Sequence, residues 1–275
     1  MSINQILPLI TTAIMFVFVG FVGVRYWQRR STPLLMWSIG LALFALGSLA
    51  EAISLFGFND AVFRMWYLCG AVLTAAWIGQ GTVYLLLRRK WGNLSLGVLV
   101  FLSLVAFAVM MSTTLDASHF NPAVPLSEQY ASRALRDDES APAGAVVDTV
   151  NVGGKPARVV QGIIPLGAPI RLTTAFFNIY GSLALIGGAL YSTYLFWRKR
   201  VMGNRVIGNI LIAAGALSIA SASTLTRLGL GDLLYVGELV AAIVMFAGFI
   251  MASRRVTESR AVETETAVVP AARSA

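Results

Sequence analysis

The sequence predicts an all-α integral membrane protein, a bundle of seven transmembrane helices. Three observations carry that expectation. Charge is scarce: 12% of the 275 residues are Asp, Glu, Lys or Arg, 57% are hydrophobic, and the mean hydropathy is +0.75. Soluble domains carry about 25% charged residues, and a water-soluble chain of this size could not hide so much apolar surface. Seven apolar runs each approach the roughly 20 residues that a helix needs to cross the hydrocarbon core. Basic clusters, finally, follow alternate runs only.

The runs lie at about 5–25, 33–56, 65–87, 93–113, 172–196, 206–226 and 233–253. Runs this long read as helices, because open sheet edges are not tolerated in lipid and the alternation of barrel strands is absent. Span 1 is expected to be retained rather than cleaved: "MSINQ" carries no basic side chain, and no small-residue cleavage site precedes "RYWQRR". Span 1 is followed by Arg25, Arg29 and Arg30, and span 3 by Arg88, Arg89 and Lys90. Span 5 is followed by "WRKR" with Arg205, and span 7 by Arg254 and Arg255. The opposite side holds Asp60, Asp116, Glu128, Asp137, Asp138, Glu139, Asp148 and Asp232. The positive-inside rule therefore predicts an N-terminus outside and a C-terminus in the cytoplasm. The net charge of +8 follows from the same rule. Membrane lipids are the partner it implies, and no nucleic acid, since the clusters are short and juxtamembrane.

Residues 1–255 are thus expected to form one seven-helix domain, with an outer loop at 114–171 between helices 4 and 5. In that loop "AVVDTVNV", "GGKP" and "ARVVQGI" read as a β-hairpin around a glycine turn, with an ordinary flexible loop as the alternative. The preceding "LSEQYASRALRDD" reads as a short surface helix with Ser127 as N-cap. The polar tail 256–275 is expected to be disordered and cytoplasmic. A parallel duplication is a further reading: span 1 ends in "YWQRR" and span 5 in "FWRKR", and each following pair of spans is joined by a turn ending in Asp ("GFND", "GLGD"). Parallel repeats occur in some transporters, while membrane anchoring alone also produces Trp-plus-basic motifs.

Several chemistries are excluded by composition. The single cysteine, Cys69, lies within span 3, and the single histidine, His119, lies in the outer loop, so no cysteine or histidine metal centre is expected. The lysines are Lys90, Lys155 and Lys199, none within span 7, which rules out a retinal Schiff base there. No phosphate-binding glycine loop and no membrane-embedded Ser–His–Asp set exists. Enzyme activity, cofactors, catalytic residues and metal ligands are therefore not expected.

What remains is polar chemistry at membrane depth, which is costly and so points to function. Glu51 and Arg64 flank the turn between spans 2 and 3, Asn178 lies early in span 5, Arg227 closes span 6 and Glu238 lies inside span 7. Helical spacing puts Trp37, Gly40, Phe44, Gly47, Ser48 and Glu51 on one stripe of span 2. Tyr67, Gly70, Thr74, Trp77, Gly81 and Tyr84 share a stripe of span 3, and Tyr235, Glu238, Ala242 and Met245 a stripe of span 7. One reading makes these packing and hydrogen-bonding groups, with Arg64 paired to Glu51, Asp60 or Asp232. The other has Glu51, Arg64, Arg227 and Glu238 line an outward-facing polar pocket, with Tyr67, Trp77 and Tyr235 as aromatic walls and Asn178 nearby.

The run "RRSTPLLMWSIGLALFALGSLAEAI…FRMWYLCGAVL" resembles the N-terminal seven-helix sensor region of some bacterial histidine kinases. The residues that carry the likeness are Arg29, Arg30, Trp37, Glu51, Arg64 and Tyr67, within spans 2 and 3. The resemblance implies a multi-pass protein of the bacterial plasma membrane that senses a small ligand. No kinase follows span 7 in this sequence, so signalling is expected to run through a separate membrane or cytoplasmic protein. Three functions stay open: a sensor-like module for a small ligand, a small secondary transporter built from two parallel three-helix repeats, and a structural membrane subunit with no ligand.

Overall fold

The computed structural model describes residues 3–122, 124, 126–135, 140–141, 146–198, 207–208, 210–212, 214–218 and 232–253. Helix α1 spans Ile3–Arg29, α2 Thr32–Ser54, α3 Asp60–Leu86 and α4 Arg89–Ser112. Helix α5 runs in three consecutive segments, Ile170–Ser182, Leu183–Gly187 and Gly188–Arg198. The helical residues described between 207 and 218 belong to α6, and α7 spans Asp232–Ser253. Among the described residues five helices, α1 to α5, are long and apolar enough to cross a membrane, and α7 contributes a shorter apolar stretch, Tyr235–Met251. The chain is a helical membrane protein. Most of the sixth expected run and the whole tail 256–275 lie outside the described residues.

Local sequence sets the helix ends. Pro33 sits in the first turn of α2, where its missing N–H costs nothing. Asn59 caps α3, accepting a 3.1 Å hydrogen bond from the Val62 backbone N–H. Helix α3 therefore begins at Asp60, earlier than the expected 65, and carries Arg64 inside its second turn.

Helix α2 lies between α1 and α3, α7 packs on α1, and α5 packs on α3. The stripes expected on spans 2 and 3 face one another: a methyl group placed on Gly47 would lie 2.7 Å from the Gly70 Cα, and Gly81 receives the Trp37 indole. Small residues thus let the backbones approach closely. Helix α4 buries only Gly92, Leu99, Ala106 and Met110, a single seam, and exposes Leu94, Val98, Phe101, Leu104 and Phe107 as a lipid-facing side.

Two helices slip register. Trp66–Leu73 of α3 and Leu183–Gly187 of α5 are π-helical. In α3 the widened turn leaves carbonyls in need of partners: the Thr74 hydroxyl donates to the Cys69 carbonyl at 2.6 Å and the Asn178 amide to the Ala71 carbonyl at 2.9 Å.

The long loop after α4 is an ordered cap among its described residues. Gln129 ties its start together, its amide oxygen accepting from the Asn121 N–H and its NH2 donating to the Asn121 and Val124 carbonyls. Strands β1 (Arg133–Ala134), β2 (Val147–Val152) and β3 (Lys155–Val160) form an antiparallel sheet in the order β1-β3-β2. The expected hairpin is β2–β3; Gly153 and Gly154 have φ +61° and +86°, the left-handed pair that a two-residue turn with Val152 opposite Lys155 requires. The expected surface helix is corrected: it is one turn, Leu126–Gln129, and begins before Ser127, which is therefore not its N-cap. The chain beyond it is drawn into an edge strand, because Ser132 bonds the Gly162 N–H and β1 pairs with β3. Leu126, Ala131, Ile163 and Ile164 sink into one cluster with Phe63, Trp66, Tyr67 and Phe177, which seats the cap on the end of the bundle. Outside the helices, the Ser118 hydroxyl and then its backbone N–H hold the Asp116 carboxyl below the usual carboxylate range.

Candidate functional site: two carboxylates beneath the loop cap

Glu51 lies in the last turn of α2 and is only 3% exposed. The close Gly47–Gly70 contact one turn earlier brings the end of α2 against α3 and leaves Glu51 facing the Trp66 indole. From α7, Tyr235 and Glu238 point to the same place; they are three residues apart and so share a helix face. Glu51 thus has the Tyr235 hydroxyl and the Trp66 N–H within hydrogen-bonding reach and the Glu238 carboxylate within electrostatic reach. Tyr235 is buried, and its hydroxyl lies against the Leu126 backbone amide, so the cap touches the cluster directly. Glu238 is partly buried.

Two oxygens here are unsatisfied. Glu51 Oε1 and Ser48 Oγ, one turn apart on α2, are buried without a hydrogen-bond partner. A buried acceptor without a partner costs about 1–3 kcal/mol, and a charged one more. Arg64 and Arg171 do not answer the two carboxylates. Arg64 Nε bonds Asp60 at 2.7 Å, and its NH groups donate to the Met110 and Thr113 carbonyls. Arg171 donates to the Ser132 carbonyl at 2.7 Å.

Of the residues expected to form a pocket, Glu51, Tyr235 and Glu238 come together. Arg64 does not join them. Of the partners expected for Arg64, the structure gives Asp60, four residues earlier on the same helix, rather than Glu51, and adds the carbonyl end of α4, where a cation complements the helix dipole. Tyr67 lies one residue from the cluster, packed between Phe63 and Tyr130, with its hydroxyl 3.0 Å from Thr174 Oγ1. Asn178 serves the π turn of α3, and the Trp77 indole donates to Ser103 of α4 at 3.3 Å. Arg227 lies outside the described residues. The cap reaches the carboxylates through Leu126, whose backbone amide meets the Tyr235 hydroxyl.

Sequence reasoning missed Trp66 and Leu126 at the site and placed Ser48 only on a stripe. Trp66 was visible in the aromatic start of span 3, but only the π turn decides where its ring faces. The second polar centre lies elsewhere. Gln80, fully buried, donates to the Gly92 carbonyl at 2.9 Å and to Ser95 Oγ at 3.0 Å, and accepts from the Tyr180 hydroxyl. It joins α3, α4 and α5 with every polar group engaged.

Chemically, the carboxylate cluster can hold positive charge or exchange a proton. Among the described residues no group of three His, Cys, Asp or Glu could hold a metal ion. Comparison of the chain with protein-family models, with curated proteins and with solved structures finds no match to any of them.

Proposed function

We propose that the protein is a seven-helix, multi-pass component of the bacterial plasma membrane, with its N-terminus outside and its C-terminus in the cytoplasm. Its Glu51–Glu238 centre binds a small ligand from the outer side, and the binding is passed as a helix shift to a separate signalling partner. The observation that carries this reading is the pair of carboxylates from α2 and α7 meeting beneath the cap, one of them with a buried oxygen left without a partner. Ionisable groups at membrane depth are retained for function far more often than for stability. The contact of Tyr235 with Leu126 gives a route by which an event at the cap reaches α7.

A second reading, a small secondary transporter with two parallel repeats, draws on the π turn that begins at Trp66 beside the carboxylates, since interrupted helices frame substrate sites in many transporters. One comparison separates the two. The detergent-purified protein and its Glu238→Gln variant are screened by thermal shift against small extracytoplasmic metabolites, and both are tested for flux in proteoliposomes. Stabilisation of the parent without flux, lost in Glu238→Gln, is the expected result. Flux coupled to ion or proton movement establishes the transporter instead, and no ligand response in either assay removes both.

A further inference from the structure

Resting on that reading of the carboxylate centre as a ligand site, we infer that Glu51 Oε1, Ser48 Oγ and the Glu238 carboxylate hold a single monovalent alkali cation. The two unpartnered oxygens are the starting point. Glu51 is 3% and Ser48 4% exposed, and neither oxygen has a hydrogen-bond partner. A serine on a helix ordinarily satisfies itself by donating to the carbonyl one turn back, as Ser38 does to Leu34 and Ser103 to Leu99. Ser48 does not. A side chain that forgoes that bond next to a carboxylate with a free oxygen leaves two oxygens for a third body.

Charge narrows the choice. Glu238 lies within electrostatic reach of Glu51, and Arg64 and Arg171 are engaged elsewhere. The surrounding donors, the Tyr235 hydroxyl and the Trp66 N–H, reach Glu51 but bring no charge. A proton on either carboxylate would reduce the repulsion, yet it would leave Glu51 Oε1 and Ser48 Oγ without neighbours at bonding distance. A cation can take both oxygens as ligands at once, whereas a proton is held by one carboxylate.

Coordination number narrows it further. The oxygens from Glu51, Ser48 and Glu238 suit a small alkali ion, whereas calcium takes about 6–8 oxygens and magnesium keeps several waters in near-octahedral geometry. Glu51 and Ser48 are both almost fully buried, which favours a monatomic ion over a bulky ammonium compound.

The test uses the full chain in detergent, with melting temperature followed against sodium, lithium, potassium and choline chlorides at constant total salt. The expected result is a saturable rise with sodium or lithium that choline does not give. The half-saturating concentration should increase at least about tenfold in Glu51→Gln and in Ser48→Ala, each having lost a ligating oxygen. Ser48→Ala removes one small hydroxyl and keeps the helix, so it reports even where Glu51→Gln folds poorly. Equal melting temperatures in all four salts overturn the inference. If acidification or an organic ammonium compound stabilises the protein while alkali ions do nothing, the cation site falls and the broader ligand-site reading stands. If no cation, proton or small molecule stabilises it, both fall.

Discussion

Gln80 shows how a buried polar side chain can be wholly structural. Its amide meets the Gly92 carbonyl and Ser95 of α4 and the Tyr180 hydroxyl of α5. Gln80→Leu removes all three and should lower stability by about 1–2 kcal/mol, the scale of interhelical hydrogen bonds in membranes, read from unfolding in detergent. Arg64 is a different case. Its contacts run to Asp60 and to the last carbonyls of α4, none to Glu51. Arg64→Ala and Glu51→Ala should therefore destabilise additively, within roughly 0.5 kcal/mol, in a double-mutant cycle. A coupling larger than about 1 kcal/mol would mean that the two side chains do meet. Asp60 was among the partners the sequence offered Arg64, and it is the one favoured by position, because it stands four residues before and that spacing stacks side chains on one helix face. Glu51 attracted attention by its depth alone, yet depth does not say which of two neighbouring charges is closer. The orientation of Trp66 could not be read at all, since one residue of register slip turns a side chain by about 100°.

At the level of single elements, the hydrophobic runs and glycine patterns were easily read and the π turns were not. Apolar length locates α1 to α5, and Gly40 and Gly47 identify the side of α2 that meets α3. The π stretches contain no proline and no unusual composition, so nothing in "WYLCGAVL" distinguishes them from an ordinary turn. The hairpin was legible because two adjacent glycines are the signature of its turn, whereas the two-residue strand β1 depends on distant pairing with β3. The seam between α3 and α5 yields a contrast that can be measured. A methyl group on Gly181 would collide with the Ala75 and Ala76 backbone, while one on Gly97 of α4 meets nothing within 4 Å. Gly181→Ala should cost about 1–3 kcal/mol by overpacking. Gly97→Ala should be neutral or stabilise by about 0.5–1 kcal/mol, since alanine loses less conformational freedom in a helix. Thermal unfolding of the two variants side by side decides it, and equal losses would contradict the packing described.

For the whole molecule, the distribution of charge predicts an orientation that chemistry can check. With Cys69 replaced by alanine, a cysteine at Lys155 in the exposed hairpin should react with a membrane-impermeant maleimide in intact cells, and one at Arg89 should not. The reverse pattern would turn the bundle over and place the carboxylate centre on the cytoplasmic side. The order of packing has another consequence. Helix α5 leans on α3 rather than on its chain neighbour α4, and the segment linking them passes through a hairpin whose two-glycine tip has open space around it. The covalent link at that tip carries no packing of its own. Two separately translated polypeptides, 1–153 and 154–275, should therefore find each other in the bilayer, joined by the β2–β3 ladder above and the Gly181–Ala75 seam below. An affinity tag on one fragment should draw the other through purification in equal amount, and recovery of a single fragment would show that an unbroken chain is needed for assembly.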